Sequence, residues 1–256
     1  MKTSIATILL GAATAVALSA STIYAAEPDA KKSAEKADAQ KPTTAAAPSF
    51  TYKPPMRGAP ATRVGGGTRS AGAALTLNVL APGETGYTTQ EKPTIYWFVS
   101  QAVNTPVKME LTLISNESLQ AASKPLLEIT LQPPLAKGIH ALRLADHGIT
   151  LRPGVEYQWF VAVVRDPAQR SNDTIAGGTI KRVADSDAVQ SRLKQTLQAQ
   201  WPAVYAEAGI WYDAIDQLSQ QISADASNRQ LREQRAALLE QVGLSTAAAF
   251  DRGAGI

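Results

Sequence analysis

Between residues 74 and 183, short apolar stretches recur at regular spacing, separated by turns rich in Pro, Gly and Asn. Seven such stretches are present, at residues 74–80, 94–99, 107–114, 127–131, 138–144, 155–164 and 174–183. In several of them every second residue is apolar, which predicts half-buried β-strands. Because no helical segment lies between them, the pattern predicts an antiparallel β-sandwich of the immunoglobulin or fibronectin type over residues 63–184.

The segment from Leu151 to Val164 carries a more specific signal. Pro153 and Gly154 predict a tight turn, and a strongly apolar strand follows from Val155. Tyr157 has the position of the corner tyrosine of such sandwiches, whose hydroxyl bonds to the backbone a few residues upstream. Trp97 or Trp159 is expected to be a central aromatic residue of the core.

After Asp185 the apolar period changes to that of helices. The first helix is predicted to be capped by Asp185 or Ser186, and Pro202 suits the first turn of the second. A third helix begins near Ser227 and ends at Gly243. The apolar positions of the first two helices are Val189, Leu193 and Leu197, then Val204, Ala208, Trp211, Ile215, Leu218 and Ile222.

The expected fold is therefore α+β, a sandwich followed by a helical hairpin of about three helices over residues 185–244. Such short helices are marginal alone in water, so their apolar seam must be covered. The sandwich is the expected cover, and a partner protein is the alternative. Residues 245–256 are expected to form a flexible tail.

The N-terminal residues predict export. Lys2 is followed by an apolar stretch over residues 5–18 and then by small residues, as in a secretory signal peptide over residues 1–25. An uncleaved anchor is the alternative. Residues 26–62 are rich in Ala, Pro and Lys and predict a disordered linker, in which Phe50, Tyr52 and Met56 either form a docking segment or are exposed.

Composition narrows the compartment and the class of partner. The chain of 256 residues contains no cysteine, so no disulfide is possible, and the periplasm of a Gram-negative bacterium is the expected location. Residues 63–184 hold 12 basic and 9 acidic side chains, whereas residues 185–256 hold 6 and 9. The two segments have complementary charge, which favours their docking on each other. Neither has the dense basic stripe of a nucleic-acid-binding protein. No integral membrane segment is expected after cleavage.

A glycine-rich stretch, from Arg63 through Gly65, Gly66 and Gly67 to Arg69, is one candidate interaction site. Successive glycines allow backbone N–H groups to converge on an anion. However, the stretch lacks the Gly-Lys-Ser/Thr ending of a P-loop. The favoured interpretation is a connector that leads into the first strand.

Two further candidate sites contain arginine or aromatic side chains. Arg165, Arg170 and Asp173 lie in the loop between the last two strands, where they could bind a carboxylate or glycan or pair with each other, which is favoured. On the second helix the aromatic side chains could line a partner groove, although core packing is the more common role of such a stripe. These are Tyr205, Trp211 and Tyr212.

No catalytic or metal-binding constellation is evident. His140 and His147 are the only histidines, and neither has a ligand-forming neighbour at suitable spacing. No Gly-x-Ser-x-Gly nucleophile motif occurs. No cofactor is expected. Paired carboxylates from distant strands could still support glycoside hydrolysis.

Four segments together resemble a bacterial family, domain-of-unknown-function family 928. They are residues 63–69, 93–99 (Pro-Thr-Ile-Tyr-Trp-Phe-Val), 151–157 and 205–218, and the resemblance spans about residues 63–244. It implies a secreted bacterial protein with a β-then-α layout, and it supplies no catalytic residues.

These observations favour a non-enzymatic interaction or adaptor module of the bacterial envelope. An envelope protein is the expected partner, and a glycan is possible. The rival expectation is an envelope enzyme acting on a glycan or peptide, which a deep pocket with two facing carboxylates would support. A third alternative is a structural component that associates with itself.

Overall fold

A computed structural model describes residues 51–55, 63, 66–67, 75–103, 108–115, 125–131 and 133–253. The segments predicted as signal peptide and linker lie outside these residues, except for residues 51–55. The described residues form nine β-strands: β1 (Gly66–Gly67), β2 (Thr76–Val79), β3 (Gly86–Thr88), β4 (Thr94–Val99), β5 (Lys108–Ser115), β6 (Leu127–Leu131), β7 (Gly138–Arg143), β8 (Glu156–Val164) and β9 (Thr174–Arg182). Three 3₁₀ helices are also present, at Leu144–His147, Arg170–Asn172 and Gln198–Gln200.

The strands form two sheets. One has the order β1-β2-β4-β7 and the other has the order β3-β9-β8-β5-β6. All seven predicted strands are present, with bounds within one or two residues of the expected ones. The prediction of purely antiparallel sheets is wrong at one edge, where β3 runs parallel to β9 with Gly86 opposite Ile180. Both unpredicted strands, β1 and β3, are too short to show a period of two.

The sheets share one core. A Cβ atom added at Gly178 on β9 would lie 2.7 Å from the side chain of Ala81 and 3.5 Å from that of Val79, so the sheets approach closely there. Trp97 and Trp159 are both buried, as expected. The hydrogen bond predicted for the corner tyrosine is confirmed, because the hydroxyl of Tyr157 accepts a hydrogen bond of 3.0 Å from the backbone N–H of Arg152.

Five α-helices follow the strands: α1 (Asp187–Gln195), α2 (Trp201–Glu207), α3 (Trp211–Ala224), α4 (Arg229–Gln241) and α5 (Ser245–Gly253). The expected number of about three is too low. Ser186 caps α1 through Val189, and Asn228, rather than Ser227, caps α4 through Leu231. The α1 seam ends early, since Leu197 lies beyond the helix with 75% of its surface exposed.

The expected second helix is two helices, because Gly209 adopts a φ of +76° between α2 and α3. The backbone of residues 51–55 lies against this break. The N–H of Lys53 donates to the carbonyl of Ala206 over 3.1 Å, and a Cβ atom at Gly209 would lie 2.7 Å from the carbonyl oxygen of Lys53. Ala208, which was expected in the seam, is exposed at this break.

Tyr52 docks on the helices, as one of the two interpretations of the linker end predicted. Its backbone N–H donates to the Gln241 side chain over 2.8 Å, and its ring meets the Trp211 ring edge-on at 4.9 Å between centroids. Phe50 and Met56 lie outside the described residues. We call residues 51–55 the N-terminal strap.

The prediction of a flexible tail from residue 245 is wrong up to Gly253. Ala247, Ala248 and Asp251 of α5 are buried. Both oxygens of Asp251 accept hydrogen bonds from buried Arg235 of α4, at 2.7 and 2.8 Å. A run of small residues gave little apolar signal, yet it permits close packing of α5 on α4.

Helix α3 joins the helical segment to both sheets. The Nε1 atom of Trp211 donates to the carbonyl of Leu80 over 2.8 Å, and the hydroxyl of Tyr212 donates to the carbonyl of Thr179 over 2.9 Å. The apolar seam of α3 is therefore covered by the strands, which was the favoured expectation. Within the part of the chain described here, no helix has both the length and the apolar character needed to cross a membrane.

Candidate functional site

A recess runs beside β7, the last strand of the four-stranded sheet. Three adjoining cavities of about 560, 340 and 400 Å³ follow one another along this strand. The first two share Tyr96 and Ala141, and the last two share Lys137 and Phe250. We call this recess the β7 groove, and name its successive parts the acidic, basic and apolar compartments.

The register of β4 and β7 explains which side chains line the groove. Tyr96 lies opposite Ala141, and Phe98 lies opposite Ile139, so these residues share one face of the sheet. Strand side chains alternate between faces, so the intervening Trp97 turns the other way, into the core. Helices α3, α4 and α5 cover the lining face only in part and thereby form the far wall of the groove.

The acidic compartment is centred on Asp216 of α3. Its Oδ1 accepts a hydrogen bond of 2.6 Å from the hydroxyl of Tyr96, and its Oδ2 accepts one of 2.8 Å from Gln220. Burial raises the pKa of Asp216, and these hydrogen bonds oppose the rise. Burial, with the neighbouring Asp216 carboxylate, also raises the pKa of Tyr96. At the rim, Arg143 pairs with Asp146 over 3.2 Å.

The basic compartment is lined by the cationic side chains of Lys137, Arg232 and Arg235, together with the hydroxyls of Ser219 and Ser223. No carboxylate lines it among the described residues. Arg235 is neutralised by Asp251 and also donates to Ser219 over 2.9 Å. The compartment therefore carries the excess positive charge of two side chains.

The apolar compartment lies at the beginning of β7. The Phe98 and Phe250 rings are 5.4 Å apart between centroids. Gly138 has a φ of +138°, and a Cβ atom there would lie 3.1 Å from the Phe250 ring. A side chain at position 138 would thus be strained and would crowd Phe250.

A second buried carboxylate, Asp213, lies on α3 away from the groove. Its Oδ1 accepts a 2.5 Å hydrogen bond from the Thr88 hydroxyl, and its Oδ2 accepts from both the backbone N–H and the hydroxyl of Thr89. Burial raises the pKa of Asp213 to about 6, although the threonine hydrogen bonds act in the opposite direction. This carboxylate holds the turn after β3 against α3.

In its described part the glycine-rich stretch forms the first strand itself, rather than the connector to it that was favoured. Gly66 and Gly67 form β1 and pair with Leu77 and Thr76. The Nη1 atom of Arg63 donates to the carbonyls of Ala81 and Val242, at 3.1 and 2.7 Å, so this side chain joins the segment after β2 to the end of α4. Burial lowers the pKa of Arg63. Gly65 and Arg69 lie outside the described residues.

The loop between β8 and β9 has an internal ion pair, as favoured. The Nε atom of Arg170 contacts Oδ2 of Asp173 at 2.5 Å, while Asp173 Oδ1 is buried with no hydrogen-bond partner among the described residues. Arg165 is exposed in the same loop. The pairing that was favoured for this loop is therefore present between Arg170 and Asp173.

The aromatic residues of the helices belong to the core. Tyr205, Trp211 and Tyr212 are 6%, 0% and 1% exposed, so they do not form a partner surface in this structure. The hydroxyl of Tyr212 both accepts from Trp159 Nε1, over 2.9 Å, and donates to Thr179. Burial raises the pKa of Tyr205 to about 12.

The two histidines are apart from each other. His140 stacks on Trp97 at 5.8 Å between ring centroids, and burial lowers its pKa. His147 ends the 3₁₀ helix after β7. Among the residues described, no group of three or more His, Cys, Asp and Glu side chains is arranged to hold a metal ion.

Sequence reasoning did not identify the β7 groove. Its members come from β4, β7 and three helices, and no local motif unites them. One signal was present: Tyr96 occupies a position in an aromatic strand where a wholly apolar side chain would bury equally well, so its hydroxyl implied a polar partner.

The protein is thus of the α+β class, and its two packed sheets and helical segment enclose a groove beside an edge strand. Residues 61–250 match the family described as Domain of Unknown Function (DUF928), and the protein belongs to that family. The resemblance seen in the sequence is confirmed.

No curated protein matches the chain. A multi-domain immunophilin from Arabidopsis thaliana shows a weak likeness, with 8% sequence identity, coverage of 71% of this chain and 93% of that chain, and a TM-score of 0.17. A TM-score this low supports no comparison of the two folds.

Proposed function

We propose that this protein is an exported, non-enzymatic adaptor of the Gram-negative bacterial envelope that binds an extended segment of another protein along β7. The observation that carries the proposal is the position of β7: it is the last strand of its sheet, and within the described residues no strand pairs with its outer side. An edge strand presents unpaired backbone N–H and C=O groups to a partner.

An added peptide strand would satisfy these groups, and pockets beside the strand would select its side chains. The six residues of β7 span about 20 Å, which is sufficient for an added strand of similar length. The β7 groove supplies three chemically different compartments along that length. A flat sheet edge would offer backbone pairing without such selectivity.

We further propose that the two sheets are an immunoglobulin-like sandwich. The Tyr157 corner bond supports this assignment, as does the order of the strands. In the constant-type sandwich a further strand flanks the position that β7 occupies. Within the described residues no strand takes that flanking place, which would leave the edge of β7 available for a partner.

Export and periplasmic location are supported by the sequence of residues 1–25 and by the lack of cysteine. Cell fractionation with an antibody against the folded domain would test them. A chain found only in the cytoplasm would contradict the envelope role and leave the groove without its proposed class of partner.

Site-specific photo-crosslinking in intact cells tests the binding mode. Ala141 is exposed and lines two compartments, so a photoreactive benzoylphenylalanine there should crosslink to one recurrent envelope protein. The matched control is Leu126, which is 46% exposed beside the other sheet and should give no such product. Equal products at both positions, or a product with a second copy of this chain, would contradict an adaptor function at β7.

A second candidate function, an enzyme acting on an envelope glycan, has one supporting observation. Asp216 and Asp146 line the same cleft, and burial raises the pKa of Asp216, which is the direction that a general acid requires. Release of sugar fragments from peptidoglycan by the wild type, lost in Asp216→Asn, would support this candidate. Intact peptidoglycan after prolonged incubation would remove it.

A further inference from the structure

The basic compartment of the β7 groove contains two cationic side chains that have no acidic partner in the described part of the chain. Neither Lys137 nor Arg232 forms an ion pair with a described carboxylate. Lys137 Nζ lies 5.8 Å from the centroid of the Phe250 ring. Arg232 donates from Nε and Nη2 to the carbonyl of Ala226, at 3.2 and 2.8 Å, which orients its guanidinium. The charge complement of this compartment is an anion.

The direction of an added strand indicates which part of a peptide reaches that compartment. Lys137 immediately precedes Gly138, the first residue of β7. In an antiparallel pair the end of one strand lies beside the beginning of the other. The C-terminus of a peptide added antiparallel to β7 would therefore lie next to Lys137.

The adjoining apolar compartment fits the same arrangement. Phe98, Ala249 and Phe250 line it, and it shares Lys137 with the basic compartment. A terminal carboxylate paired with Lys137 would place the last side chain of the peptide at this apolar wall. A carboxylate is also a strong hydrogen-bond acceptor for both ammonium and guanidinium groups.

We infer that the β7 groove recognises the free C-terminal carboxylate of an extended peptide whose last residue is apolar, with Lys137 and Arg232 binding the carboxylate. This inference rests on the proposed function and narrows it to one class of ligand. It differs from simple attraction of acidic proteins, because the charge must be at the chain terminus and next to an apolar side chain.

An array of randomised octapeptides, each synthesised both with a free carboxyl terminus and with a terminal amide, tests the inference on the full chain. We expect bound sequences to end in an apolar residue and to bind about tenfold more weakly as amides, since a charge-assisted contact is lost. In the Lys137→Gln/Arg232→Gln variant the difference between acid and amide should fall below about twofold.

Two control variants separate the possible results. Lys53→Gln/Lys194→Gln removes the same charge from exposed positions outside the groove and should keep the preference for acids. Ala141→Trp should obstruct the groove and weaken acids and amides together. Equal binding of acids and amides, still lost in Ala141→Trp, would overturn the carboxylate inference and leave strand addition intact. Binding unaffected by Ala141→Trp, or no binding at all, would contradict both the carboxylate inference and strand addition. A preference for internal acidic residues would overturn the carboxylate inference but not strand addition.

Discussion

Asp213 shows how a single side chain couples the two parts of this molecule. It is 3% exposed, and its oxygens accept hydrogen bonds from Thr88, the last residue of β3, and from Thr89, which follows it. These donors are neutral, so they compensate burial of the negative charge only in part. The pKa of Asp213 consequently lies at about 6, above its ordinary value of 3.8.

This raised pKa predicts a pH dependence of stability. Between pH 4 and 6 the unfolded chain has lost this proton while the folded chain retains it, so the unfolding free energy falls as the pH rises. The contribution of Asp213 is roughly 3 kcal/mol across this interval. Urea unfolding at pH 4, 5, 6 and 7 should show a correspondingly smaller decline in Asp213→Asn.

Asp225→Asn is the control for the Asp213 experiment. Asp225 is exposed, and hydrogen bonds from Ser227 and Asn228 lower its pKa, so it titrates below this interval. Its variant should retain the wild-type slope. If Asp213→Asn also retains that slope, then Asp213 is already ionised at pH 4 in the folded protein.

At the residue scale, sequence could predict burial but not all partners. The role of Tyr157 followed from its spacing after Pro153-Gly154, because a local turn determines where its hydroxyl points. By contrast, the pairing of Tyr96 with Asp216 joins residues 120 positions apart in sequence. No local pattern specifies such a contact, so this member of the β7 groove could only be found from the fold.

At the scale of elements, the break between α2 and α3 depends on both a glycine and the N-terminal strap. Apolar spacing from Val204 to Ile222 continues through the break, so it predicted one helix. Gly209 provides the left-handed conformation, which ends α2. The carbonyl of Lys53 then occupies the space where a side chain at position 209 would lie. The strap comes from a distant part of the chain, so the spacing of the helix could not reveal it.

Gly209→Ala is therefore expected to lower the unfolding free energy by about 3 kcal/mol, combining left-handed strain with the clash against Lys53. The matched control is Gly154→Ala, since Gly154 has a similar φ of +77° but no atom near the added Cβ. It should lose only about 1–2 kcal/mol, measured by urea unfolding. Equal losses in the two variants would mean that the strap does not hold this break.

For the molecule as a whole, hydrogen bonds and apolar packing join the helices to the strands. The complementary charge of residues 63–184 and 185–256 suggested docking through opposite charges. The ion pairs among the described residues lie instead within one segment or the other. They are Arg143–Asp146, Arg170–Asp173 and Arg182–Glu91 in the first, and Arg192–Glu207, Arg235–Asp251 and those of Arg252 in the second. Net charge alone therefore predicted that the segments dock, but not by which contacts.

The bonds between the segments are centred on α3. Trp159 of one sheet donates to Tyr212, which donates in turn to Thr179 of the same sheet. Trp211 donates to the carbonyl of Leu80, which directly follows β2 of the other sheet. All of these contacts are buried. Because the helices and the sheets share one core, separating them would expose the apolar surface of both, so they should unfold together.

Tyr212→Phe tests this cooperative unit. The substitution keeps the ring but leaves the buried N–H of Trp159 without its acceptor, which should cost about 2 kcal/mol. Circular dichroism at helical wavelengths and tryptophan fluorescence should report the same shifted urea transition.

Tyr87→Phe, at a half-buried position, serves as the control and should change stability little. If the helical signal were lost in Tyr212→Phe before the fluorescence changed, the helices and sheets would be separate folding units, and the far wall of the β7 groove would not be a fixed part of the site.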